Sequence, residues 1–202
     1  ANRMKLDDFE IPLRTLIYGL IEAMEHKSHS RGIGLSADIA RDVPGVIRGD
    51  PKRLRQILVN LIGNAQKFTE AGSITVIVRK VENPTPYAED FKLHFEVCDT
   101  GIGMPEKVQQ KLFQAFTQAD NTTTRRFGGT GLGLSIAHKL VMLMKGEMGV
   151  ESEEGVGSTF WFDIPTREAG VGLDITLPDL TGLEILSIED HPHGAEEIKS
   201  SL

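Results

Sequence analysis

Residues 50–69 read DPKRLRQILVNLIGNAQKFT. Asp50 offers a side-chain acceptor where the free amides of a helix begin, and Pro51 suits the first helical turn because it has no N–H to satisfy. Leu54, Ile57, Leu58, Leu61, Ile62, Ala65 and Phe68 then recur at helical spacing and make one continuous apolar stripe. Arg53, Gln56, Asn60, Asn64 and Lys67 fall together on the opposite side. The stretch therefore reads as a helix over residues 51–69 with an apolar face to bury.

The flanking sequence supplies the layer it is buried against. Upstream, Leu13, Leu16, Ile17, Leu20, Ile21 and Met24 place an amphipathic helix at residues 12–27. GIGLSADIA (32–40) alternates as a half-buried strand does, and a short strand is expected around GVIR (45–48). Downstream, SITVIVRKV (73–81) and KLHFEVCD (92–99) read as strands, and residues 105–116 as a helix. Residues 117–130 are polar and rich in Thr and Gly, with little to bury, so a mobile loop is expected. A helix over 132–144 follows, then strands GEMGVES (146–152) and GSTFWFDI (157–164), the last ending at Pro165. The expected fold is α/β: a two-layer sandwich with helices on one face of a mixed, largely antiparallel sheet.

Composition narrows the function classes. The chain has 202 residues, 40% hydrophobic and 25% charged, as a folded domain does. A formal net charge of -7 argues against general affinity for nucleic acid or anionic membrane. Cys98 is the only cysteine, so no intrachain disulfide can form and a reduced, cytoplasmic setting is expected. No apolar run approaches the roughly 20 residues of a membrane span, although a membrane-anchored parent remains compatible with this.

Three stretches carry chemistry. On the polar face of helix 51–69, Asn60 and Asn64 sit one turn apart. Their amide oxygens could ligate Mg2+ beside phosphate oxygens, and Lys67 could meet a phosphate as a point charge. The alternative is an ordinary solvated face. In DTGIGM (99–104), Asp99 ends a strand and two glycines bend the chain beyond it. An ionised Asp is a pure acceptor, suited to an adenine amine, or it simply caps a turn. GGTGLGL (128–134) matches neither the Walker pattern nor the Rossmann fingerprint. It leaves bare backbone amides running into a helix, a suitable anion site.

In order, NLIGNAQKF, DTGIGM, LFQAF, GGTGLGL and GVGSTF resemble the N box, first glycine box, F box, second glycine box and final glycine motif of the sensor histidine kinase catalytic domain. The resemblance covers residues 6–164 and implies a Bergerat-type ATP-binding fold, shared with gyrase and MutL ATPases. It further implies ATP–Mg2+ binding and transfer of the γ-phosphoryl group to a histidine. Carried over residue by residue, Asn64 is the expected Mg2+ ligand and Asn60 its support. Lys67 is expected on phosphate and Asp99 on the adenine amine. Gly101 and Gly103 let the backbone pass close to the nucleotide, and Gly129, Thr130, Gly131, Leu132 and Gly133 form the phosphate-facing end of a lid. Phe113 and Phe116 match the F box, with Phe116 expected near nucleotide, unless both only pack under the lid hinge. Arg125 aligns with a lid arginine aimed at the γ-phosphate, with Arg126 as its neighbour and rival. Asn60, Lys67 and Arg125 are thus the expected catalytic residues.

The hydrolytic members of the superfamily carry a Glu one turn before the Mg2+-binding Asn, as general base for water. Asn60 stands there in this chain, which favours a kinase over an ATPase, with a nucleotide-binding scaffold as the remaining alternative. None of His26, His29, His94, His138, His191 and His193 has the setting of a phosphoacceptor. The acceptor is therefore expected on an upstream dimerisation domain, of which residues 1–8 resemble the last turn. Residues 9–165 are expected to be the catalytic domain and 166–181 a linker. Residues 182–202 resemble the opening of a receiver domain, with Glu189 and Asp190 as an acidic pair, or are an unrelated tail. The expected partners are that dimerisation domain and a response regulator or receiver, in a homodimeric parent of which this fragment could itself be monomeric.

Overall fold

The computed structural model describes residues 5–81, 90–109, 112 and 132–169. The chain begins with strand β1 (Phe9–Pro12), helix α1 (Leu13–His29), strands β2 (Ile33–Ile39) and β3 (Val46–Gly49), and helix α2 (Pro51–Phe68). Strands β4 (Gly72–Val81) and β5 (Asp90–Asp99), a single turn α3 (Glu106–Gln109), helix α4 (Leu132–Leu143), and strands β6 (Glu147–Glu153) and β7 (Gly157–Arg167) follow.

Helix α2 forms where its pattern places it. The Asp50 carboxylate accepts from the N–H groups of Lys52 (3.1 Å) and Arg53 (3.0 Å), and Pro51 occupies the first turn. Leu54, Ile57, Leu58, Leu61, Ile62 and Ala65 are all buried. They meet a five-stranded sheet of order β2-β4-β5-β7-β6, in which only β2 and β4 run parallel. The parallel pair is a consequence of the crossover through α2, which returns the chain to the same end of the sheet. Ile74, Val76 and Val78 of β4, Leu93, Phe95 and Val97 of β5, and Phe160, Phe162 and Ile164 of β7 share the buried face. Phe95 and Phe162 stack across the β5–β7 pair with centroids 4.6 Å apart. Helices α1, α2 and α4 complete one core with that face, giving the expected two-layer α/β arrangement.

The opposite face of the sheet is polar. It carries the Arg79–Asp38 ion pair, the Ser36–Thr75 hydroxyl contact (3.2 Å), and His94 between Asp163 (2.6 Å) and Glu96 (3.0 Å).

The short strand expected around GVIR is present as β3, and it pairs with β1 in a separate two-stranded sheet. Three expectations change. Residues 9–12 form β1, so α1 starts at Leu13 rather than residue 12, and it continues to His29. Of the helix expected over 105–116 only Glu106–Gln109 is helical among the described residues. Finally, β7 passes through Pro165 to Arg167. Pairing with β6 stops at Asp163, so from there on β7 is paired within this sheet by β5 alone, the edge-like setting in which a strand tolerates proline.

Candidate nucleotide-binding site

Helix α2 sets the position of the polar residues. Burial of its apolar stripe fixes the helix rotation, so Asn60, Asn64 and Lys67 lie on the side away from the sheet, each half-buried. The Lys67 ammonium lies 4.7 Å from the centroid of the Phe68 ring, which holds the charge near the end of the helix. Asn60 is more enclosed than a solvated face requires. Its Nδ2 is buried with no hydrogen-bond partner among the described residues. Its Oδ1 lies 3.4 Å from where a Cβ on Gly133 would sit, at the start of α4. A buried amide donor without an acceptor is costly in a finished structure. A half-turn of the amide exchanges oxygen and nitrogen, so the group can face a cation or a phosphate oxygen.

Asp99 closes the end of β5 and is 8% exposed. Its Oδ1 accepts from the Gly101 N–H at 2.9 Å, and the Ser158 N–H also points to its carboxylate. Burial raises its pKa above the ordinary 3.8, and these two backbone donors oppose the rise. The carboxylate is therefore held by one local backbone donor and one from the neighbouring strand, and retains acceptor capacity.

The turn after Asp99 is packed against two other elements. Ile102 N–H donates to the Phe68 carbonyl at the end of α2 (3.2 Å), and Gly155 N–H donates to the Ile102 carbonyl (2.8 Å). A Cβ on Gly101 would lie 2.5 Å from the Phe68 oxygen. Gly103 has φ +64°, and a Cβ there would lie 1.8 Å from the Glu153 oxygen. Both positions thus need glycine because another stretch of this chain's own backbone lies against them, an approach within the protein rather than the approach to nucleotide expected of them. The end of α2, the Asp99 turn and the β6–β7 connection form one packed unit, with the start of α4 reaching Asn60.

Of the expected site residues, the structure places Asn60, Asn64, Lys67, Asp99, Gly101, Gly103, Leu132 and Gly133. Leu132 is 38% exposed at the first position of α4. Phe113, Phe116, Arg125, Gly129, Thr130 and Gly131, and the loop expected over 117–130, lie outside the described residues. Ser158 belongs to GVGSTF, but its role as a backbone donor to Asp99 depends on a register across β5 and β7 that no local pattern reveals. No group of three or more His, Cys, Asp or Glu side chains able to hold a metal occurs among the described residues, so a cation here would depend on amide and phosphate oxygens.

Comparison with known proteins agrees with this geometry. Residues 49–168 match the family of histidine kinase-, DNA gyrase B- and HSP90-like ATPases. The signal transduction histidine-protein kinase BarA of Escherichia coli K12 is 44% identical over 164 residues, covering 81% of this chain and 18% of BarA. This chain thus spans about a fifth of the length of that relative. Full-length ShkA, solved in complex with AMPPNP, superposes with a TM-score of 0.73 at 34% identity, covering 86% of this chain and 34% of ShkA. The histidine kinase ThkA, solved in complex with the response regulator TrrA, gives 0.61 at 25% identity, covering 79% of this chain and 42% of ThkA. By the match over residues 49–168 and the 44% identity to a sensor kinase, the chain belongs to the histidine kinase-, DNA gyrase B- and HSP90-like ATPase family, as a catalytic ATP-binding domain of the sensor histidine kinases.

Proposed function

We propose that this chain binds ATP with Mg2+ beside the polar face of α2 and delivers the γ-phosphoryl group to a histidine on a separate dimerisation domain. The observation that carries the reading is Asn60: a buried amide facing Gly133, one helical turn before Asn64, in the place where a hydrolase needs a carboxylate. An amide cannot take a proton from water. A neutral imidazole has a free lone pair and needs no base before it attacks phosphorus. The site therefore suits a histidine acceptor better than water.

In this reading Asp99 accepts from the exocyclic amine of adenine and would repel the oxygen that guanine presents there. Lys67 meets phosphate, and Asn64, with Asn60 beside it, offers its amide oxygen to Mg2+. Mg2+ would supply charge neutralisation at the phosphates as the γ-phosphoryl group transfers. Arg125 and the glycines at 129, 131 and 133 take the phosphate-facing roles that the motifs imply. The partners are the histidine-bearing dimerisation domain and a response regulator or receiver, of which residues 182–202 are the opening, in a homodimeric parent.

Incubation with γ-labelled ATP and the dimerisation hairpin added in trans tests the reading. Acid-labile, base-stable label on the hairpin alone is the expected result. Rapid phosphate release by this chain alone would instead make it an ATPase, and binding with neither outcome would make it a scaffold.

A further inference from the structure

The last turn of α2 carries Lys67, and its carbonyl groups need partners because no further helical N–H follows. Thr69 N–H donates to the Ala65 carbonyl (3.0 Å), and Ile102 N–H takes the Phe68 carbonyl (3.2 Å). The Gln66 carbonyl is taken by a residue far away in sequence. One guanidinium nitrogen of Arg31 donates to it, and the other donates to the Thr69 carbonyl at 3.0 Å. The fork thus spans the two residues that flank Lys67 and Phe68.

Arg31 is held for this. It follows the end of α1, where its N–H donates to the Ser28 carbonyl and the Gly32 N–H donates to that of His29, both at 2.9 Å. The end of α1 also grips α2 through Gln66, whose buried side-chain amide donates to the Met24 carbonyl (3.0 Å) and the Ser28 hydroxyl (2.7 Å). The fixed positive charge lies at the carbonyl end of α2, where the helix dipole favours a cation. Lysine would supply the charge but not the two-pronged geometry.

We infer that Arg31 is a positioning residue for the phosphate contact of Lys67. By fixing the carbonyls at positions 66 and 69, it fixes the direction in which the residues between them project. The inference rests on the proposed phosphate role of Lys67. It gives the α1–β2 turn a part in nucleotide binding although Arg31 itself need not touch the nucleotide.

A double-mutant cycle on the full chain tests it, with Mg2+·ATP affinity read by calorimetry for the starting chain, Arg31→Ala, Lys67→Ala and the double variant. Arg31→Ala is expected to weaken binding roughly 3- to 10-fold, and to cost less than twofold once Lys67 is already alanine. Arg31→Lys is expected to fall between Arg31→Ala and the starting chain. A merely structural role would lower the melting temperature without coupling to Lys67. Unchanged affinity in Arg31→Ala, or an equal loss in both backgrounds, overturns the inference alone while Lys67→Ala still weakens binding. Unchanged affinity in Lys67→Ala overturns the phosphate reading and this inference with it. If Arg31→Ala melts below the assay temperature, Arg31→Gln enters the same cycle with the same expectations.

Discussion

The carboxylate of Asp99 combines two properties that pull in different directions. It must be ionised to accept from an amine, yet burial raises its pKa, with the Gly101 and Ser158 N–H groups holding part of the charge in place. Asp99→Asn keeps the shape and removes the charge. Loss of a charge-assisted hydrogen bond is worth roughly 1.5–3 kcal/mol, so ATP affinity should fall about 10- to 100-fold. Calorimetry checks this, and unchanged affinity would remove Asp99 from the adenine contact. The pH dependence follows with a definite sign. In the free protein the folded state holds this proton at pH values where the unfolded chain, near the ordinary 3.8, has lost it. The contribution of Asp99 to stability therefore declines as pH rises from the ordinary value through the raised one. ATP binding runs the other way: acidification protonates the acceptor and weakens affinity, beginning at a higher pH than an ordinary aspartate would give. Titration of ATP affinity against pH in the starting chain and in Asp99→Asn separates this loss from any other, since the variant should show a flatter acid limb.

Asn64 gives a second test at the same scale. As a cation ligand it matters only when the cation is there, so Asn64→Ala should weaken ATP binding mainly with Mg2+ present. Equal weakening with and without Mg2+ would end the metal-ligand role.

At the scale of elements, α2 depends on Asp50. That carboxylate caps the helix and also accepts the Asp7 N–H at 3.1 Å from Oδ2. Asp50 is 3% exposed, so truncation leaves three donors in a nearly closed space. Asp50→Ala should cost about 1–2 kcal/mol, measured by urea unfolding, with Asp50→Asn milder. The strands β5 and β7 hold a different kind of contact in His94. Partial burial opposes its charge, and the hydrogen-bonded carboxylates of Asp163 and Glu96 override that, so its pKa rises above 6.5. Arg79 faces it from β4 as a cross-strand neighbour, and the Trp161 ring lies 5.9 Å away. Stability from protonated His94 is complete below its ordinary pKa and is lost as pH rises through the raised one. His94→Gln should flatten the fall in melting temperature over that window. An unchanged slope would show that the pair of carboxylates does not act through His94.

The elements also differ in how much of them the sequence discloses. The cap and stripe of α2 are local, so its start, rotation and polar face are legible in one stretch. Strand β1 is not: FEIP is four residues long, its Phe9 is 55% exposed, and only pairing with β3 makes it a strand. The continuation of β7 through Pro165 depends on where β6 stops, which no property of β7 records. In the site, Asn60, Asn64, Lys67, Asp99, Gly101 and Gly103 are readable because motif order names them. Arg31 is not readable, because an arginine in a turn is ordinary until the end of α2 is seen to lie beside it.

For the molecule as a whole, the proposed site draws on residues between the end of α1 and the start of β7. Removal of residues 182–202 should therefore leave ATP affinity within twofold of the full chain. A larger loss would mean that this segment takes part in the fold or the site.

The two ends of the described domain meet on strand β3. Arg48 bonds Asp8 (3.1 Å) near the start, and near the finish the Thr166 hydroxyl donates to the Arg48 carbonyl (2.7 Å) while Ala169 N–H donates to that of Val46 (3.0 Å). A domain whose chain enters and leaves at one place behaves as a cassette: it can be spliced into a longer polypeptide without threading the host around it. It also decides how the domain bears tension. Pulling on the two ends loads the few bonds at β3 and the single Asp7–Asp50 bond first, and they open one after another like a zipper before the long β5–β7 ladder and the body of the helix carrying Asn60 and Asn64 give way. In an optical trap the first rupture should therefore be a small, low-force step at which nucleotide is still held.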